Sequence, residues 1–101
     1  MASSTIRALR IQKALAGKSL QGMSLKDIAA AIGESNVNAH RTLADMIDEG
    51  MVVQFEHSKY YALSTACVAI ATAHSLEMRQ AQERIDGMSQ RVNAHAHQLL
   101  G

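Results

Sequence analysis

The sequence predicts a mainly α-helical fold with one small β-hairpin, a winged helix-turn-helix followed by a long C-terminal helix, and three observations carry that reading. Proline is absent and there are only three aromatic residues, so in a chain rich in aliphatics, alanine and methionine glycine is the strongest helix breaker left. Two short amphipathic stretches hinge at Gly33 within "SLKDIAAAIGESNVNAHRTLADMIDEG", residues 24–50. Behind Gly50 the pattern switches to β-branched and aromatic runs, and beyond Ser64 it returns to a helical repeat that continues almost to the last residue.

The elements follow in order. Residues 4–16, "STIRALRIQKALA", set Ile6, Leu9, Ala14 and Leu15 among polar positions, with Gly17 as a helix stop. After the turn-like "GKSLQG", the Ser24 hydroxyl is placed to take the Asp27 amide, so a second helix begins near Leu25; Leu25, Ile28, Ala29 and Ile32 form its apolar stripe. Gly33 ends it by adopting a left-handed backbone. A third helix, 35–49, starts within three residues with Ser35 or Asn36 as N-cap, and Ala39, Leu43, Met46 and Ile47 face inward. So tight a glycine turn forces the two helices to cross steeply, as in a helix-turn-helix. "MVVQF" and "YYAL", separated by "EHSK", then form a two-stranded wing. For the winged domain's own core the expectation is Leu9, Ile28, Leu43 and Ile47.

A chain of 101 residues supports one modest core and an appendage, here a winged domain at 1–64 and a dimerisation helix at 65–101. In "TACVAIATAHSLEMRQAQERIDGMSQRVNAHAHQLL", Ala71, Met78, Ile85, Val92 and Leu99 fall at heptad position a, and Cys67, His74, Ala81, Met88 and His95 at d. A helix this long cannot bury its stripe against so small a domain, so a partner helix is expected. Met78, Ala81, Ile85, Met88, Val92 and Leu99 are the dimerisation residues, and the product is a homodimeric coiled coil.

Composition excludes several classes. No apolar run reaches membrane-span length, and "MASSTIRALR" lacks a signal-peptide core, which points to a cytoplasmic protein. The one cysteine, Cys67, reads as a small buried hydrophobe. His95 and His97 are two apart on a helix and face different sides, so no metal and no cofactor is expected. No nucleophile with a neighbouring base, phosphate loop or paired carboxylate marks an enzyme. A formal charge of +1 gives no bulk argument for nucleic acid. Distribution says more: Arg7, Arg10, Lys13 and Lys18 precede every acidic residue, and Asp45, Asp48 and Glu49 crowd the end of the third helix. That leaves the N-terminal half of the third helix, with free amides and the positive end of its dipole, as a surface for double-stranded DNA. Ser35, Asn36, Val37, Asn38, His40 and Arg41 are its contact candidates, with His57, Ser58 and Lys59 at the wing tip for the adjacent backbone or minor groove.

From Arg7 to Ser64 the chain resembles the N-terminal winged helix-turn-helix of the IclR family of bacterial transcription regulators. The residues that carry the resemblance are "RALRIQKALAG", "SLKDIAAAIG", "AHRTLADMIDEG" and "YYALS". It implies a sequence-specific transcriptional regulator. The family's usual Leu-Pro-Lys-Ser-Thr before Ala-His-Arg is here Glu34, Ser35, Asn36, Val37 and Asn38, so a basic contact is lost and the family's sequence preference does not transfer. The family's large effector-binding domain has no counterpart in the residues at hand, so no small-molecule effector is expected. Two further readings stay open from sequence: a DNA-recognition or adaptor subunit of a phage or plasmid replication or packaging assembly, and a winged helix that binds only protein.

Overall fold

The computed structural model describes residues 2–101 in two compact units, the first ending at Val68 and the second Ala69–Gly101. The first unit holds α1 (Ser4–Ala14), α2 (Leu25–Ile32), α3 (Asn36–Asp48), β1 (Val52–Gln54), β2 (Tyr61–Leu63) and the start of α4 (Thr65–Leu100). Each of the first three helices opens on a serine. The hydroxyls of Ser3, Ser24 and Ser35 accept from the amides of Ile6, Asp27 and Asn38 at 3.2, 3.1 and 3.1 Å. Such caps satisfy amides that have no partner within the helix, each worth about 1 kcal/mol. Ser64 does the same for α4: its hydroxyl accepts from the Cys67 amide at 3.1 Å and donates to the Gly50 carbonyl at 2.6 Å, tying the end of the wing to the end of α3.

One core closes the unit. Ile11 and Leu15 of α1 and its cap, Ile28, Ala29 and Ile32 of α2, Ala39 and Leu43 of α3, Val52 of β1 and Tyr61 of β2 are all buried together. The strands run antiparallel, with Val52 opposite Leu63 and Gln54 opposite Tyr61. They are shorter than the sequence runs, although the Phe55 amide still reaches the Tyr60 carbonyl at 2.8 Å. Met23 adds a bridge to the sheet, exchanging two backbone hydrogen bonds of 2.8 Å with Tyr61. Gly22 makes that approach possible: its φ is +75°, and a Cβ there would sit 2.7 Å from the Tyr61 carbonyl oxygen.

Two expected core residues, Leu9 and Ile47, lie elsewhere, as does Ile6 from the apolar pattern of the first helix. Ile6 and Leu9 are 45% and 54% exposed, and Ile47 is 37% exposed. Leu9 is two residues from Ile11, which turns it about 200° around the helix axis, so only one of the two can face α2 and α3. Ile11 takes that place and is fully buried. On α3 the inward places go to Ala39, Leu43 and Thr42, and Ile47 is left at the rim.

The second unit is the rest of α4, one unbroken helix. Met78, Ile85, Met88 and Val92 are each about 60% exposed and Leu99 is 88% exposed. Cys67 departs from the heptad reading: it is buried in the first unit, where its sulfur accepts from Gln12 Nε2 at 3.7 Å. The exposed stripe therefore begins at Ala71.

Candidate nucleic-acid interface

The interface is built by the turn between α2 and α3. Gly33 has φ 69° and ψ 36°, the left-handed conformation that lets the chain reverse at once. The amides of Gly33 and Glu34 return to the carbonyls of Ala30 and Ala29 at 3.3 and 3.0 Å, closing α2. Ser35 is the cap of α3, so its hydroxyl is already engaged with the Asn38 amide.

The expected contact residues of α3 separate into two sets. Asn36, Val37, His40 and Arg41 are exposed and line one shallow hollow together with Leu25 from the first turn of α2. Asn38 is half-buried on the other flank, and its side-chain amide donates to Glu34 Oε2 at 3.2 Å. Val37, Arg41, Ala44 and Asp48 follow one another at spacings of four, three and four and are all exposed. Asp48 thus ends the same stripe, about 10 Å beyond Arg41 at 1.5 Å per residue.

The wing tip is a small closed turn. Lys59 has φ 63°, and its amide donates to the Phe55 carbonyl at 2.8 Å while its carbonyl accepts from Gln54 Nε2 at 3.0 Å. Ser58 Oγ accepts from the Tyr60 amide at 3.2 Å, and the His57 ring stacks on Phe55 with centroids 5.8 Å apart. His57 and Ser58 therefore shape the turn, and the Lys59 ammonium is the exposed cation it presents.

Residues 4–55 match the family model of the IclR helix-turn-helix domain. The chain belongs to that family. The matched IclR domain is a DNA-binding module of transcription regulators and not an enzyme. Among solved structures, Pseudomonas aeruginosa HmgR is similar, with 29% identity and a TM-score of 0.62 over 71% of this chain. The chain spans only 29% of HmgR. The ORF112-Zalpha domain of Cyprinid Herpesvirus 3, solved in its binding mode to Z-DNA, is similar in fold, with 24% identity and a TM-score of 0.54; the match covers 61% of this chain and 98% of that one. Comparison with curated proteins gives no match. Among the described residues no helix is long and apolar enough to cross a membrane.

Two residues of this IclR-type surface escape a reading of the sequence. Leu25 is legible as a helix start but not as a wall of the hollow. Arg7 of α1 donates through Nε to Thr42 Oγ1 at 3.2 Å and through Nη1 to the Ala2 carbonyl at 2.9 Å. Thr42 in turn donates to the Asn38 carbonyl at 3.0 Å. The first turns of α3 are thereby fastened to α1 by a chain of polar contacts. The available signal was spacing: Arg7 lies four residues before Ile11, on the inward side of α1.

Proposed function

We propose that the protein is a sequence-specific double-stranded DNA-binding transcription regulator that acts as a dimer through α4. Helix α3 enters the major groove, and Lys59 on the wing meets the adjacent phosphate backbone. The single observation that carries this is the grouping of Asn36, Val37, His40 and Arg41, all exposed, at the N-terminal end of α3. Asparagine pairs bidentately with adenine, arginine with guanine or a phosphate, and valine packs on a thymine methyl. Ser35 Oγ and the Asn38 side-chain amide each already hold a partner within the turn, which favours a role for them in holding the helix start beside any contact to DNA. Cations near this surface are few, so non-specific attraction is weak and base contacts must supply much of the preference.

The test is selection of bound fragments from randomised and genomic DNA by the purified protein, followed by gel shift with salt titration. Enrichment of a shared site and an affinity that falls as salt rises are expected. Equal, salt-insensitive retention of all fragments, or none even at low salt, would overturn the proposal.

A further inference from the structure

Beyond Cys67 the large side chains of the apolar stripe of α4 are exposed among the described residues, and its order of side-chain sizes specifies what fits. We propose that it is covered by α4 of a second copy running antiparallel, centred near residue 83. In that register Ala71 faces the partner's His95, His74 the partner's Val92, Met78 the partner's Met88, and Ala81 the partner's Ile85. The proposal rests on the reading that α4 joins two chains, and adds the orientation and register.

Size argues first. Each layer of a helical pair is filled from both chains, so an evenly packed seam sets small residues against large ones. A parallel pair in register sets every residue against itself. Ala71 and Ala81 would then leave underfilled layers, and His74 and His95 would each meet its own copy. Reflecting the stripe about residue 83 puts each alanine against a larger side chain and each histidine against a different residue. It also uses the whole helix, because residue 83 lies at the middle of Thr65–Leu100. A slide by one heptad toward the N-terminus would leave Val92 facing Cys67, which the first unit has already buried.

Charge argues the same way. In an antiparallel pair the positions preceding a face one another, so Glu77 meets the partner's Arg91, twice by symmetry. In a parallel pair Glu77 would lie beside the partner's Gln82, and Arg91 beside the partner's Ala96, with no ion pair. The antiparallel register sets Arg84 near its own copy at the centre, one repulsion on an exposed edge against two attractions. The chains enter the pair at Thr65, and antiparallel packing sets the two Thr65 residues about 50 Å apart at 1.5 Å per residue.

Oxidative cross-linking decides it. In a Cys67→Ala background, Met78→Cys and Met88→Cys are prepared separately, then mixed and refolded together. Neither variant alone should form a disulfide dimer, since like positions lie about 15 Å apart along the axis, and the mixture should form the mixed disulfide. Cross-linking of each variant alone would mean parallel packing and overturn the proposal. No cross-link in the mixture would overturn it too. If sedimentation then shows a monomer, the pairing of α4 fails with it, while gel shift of the same protein judges DNA binding separately. A nitroxide at the exposed Asn93 tests the register without seam substitutions: about 30 Å is expected between labels, and less than about 20 Å would contradict it.

Discussion

The two units of this chain handle apolar surface in opposite ways. The winged unit folds Ile11, Leu15, Ile28, Leu43 and Val52 to less than 2% exposure. Helix α4 leaves Met78, Ile85, Met88, Val92 and Leu99 in the open. Both carry helical apolar periodicity, so pattern alone does not separate a self-sufficient core from a surface awaiting a partner. What separates them is whether the chain supplies neighbours on that face. Three helices and a hairpin supply them for α1, α2 and α3, whereas among the described residues the α4 stripe beyond Cys67 lies exposed.

The largest effect should come from charging the open face. Replacing both Ile85 and Val92 by Asp places two carboxylates per chain in the proposed seam, at a cost on the order of several kcal/mol for each one left unpaired. Sedimentation equilibrium should show loss of the dimer, with the winged unit's unfolding transition unchanged. DNA affinity should also fall, since two linked contacts gain from effective concentration what one lacks. A double variant that remains dimeric would erase the contrast between the units.

Truncation within the winged unit sharpens the same contrast. Ile11→Ala removes a fully buried side chain and should cost about 2–5 kcal/mol in denaturant unfolding. Leu9→Ala, at a position 54% exposed on the same helix, should stay within about 0.5 kcal/mol.

That pair of variants also marks how far the sequence was legible. Helix order, the Ser24 and Ser35 caps, the Gly33 reversal and the wing all follow from local chemistry, because each is marked by residue types that lie close together in the chain. The inward stripe of α1 does not. "STIRALRIQKALA" offers Ile6 with Leu9 and Ile11 with Leu15 at equally good helical spacings, and the choice is made by which side meets α2 and α3. The candidate site divides likewise. Exposure of Asn36, Val37, His40 and Arg41 follows from their phase against Ala39 and Leu43. The capture of Asn38 by Glu34 depends on one rotamer choice, and the link from Arg7 to Thr42 spans 35 positions that no local pattern connects.

Substitutions on the exposed side of α3 should act on binding alone. Arg41→Ala and Asn36→Ala should each weaken binding to a selected site by about 1–3 kcal/mol and relax preference at one position. Circular dichroism and melting should match the unsubstituted protein, because neither side chain enters the core. Wild-type affinity in both variants would remove α3 from the interface.

The smallest effect tests the wing, where conformation and charge meet in one residue. Lys59 holds φ at 63°, a backbone that costs a residue with a Cβ roughly 1 kcal/mol or more and costs glycine nothing. Lys59→Gly relieves that strain but gives the unfolded chain more freedom, which returns part of the gain. Its stability should therefore equal or exceed that of the unsubstituted protein by up to about 1 kcal/mol, while Lys59→Ala, which keeps the strain, should not exceed it. The backbone bonds at this position, to Phe55 and Gln54, are available to both variants, so the turn should persist in each. Both lose the ammonium, and if Lys59 meets a phosphate, the slope of log affinity against log salt should flatten by about 1 in each. A slope unchanged in the stable glycine variant would show that the wing stands clear of the DNA, and that α3 carries the contact alone.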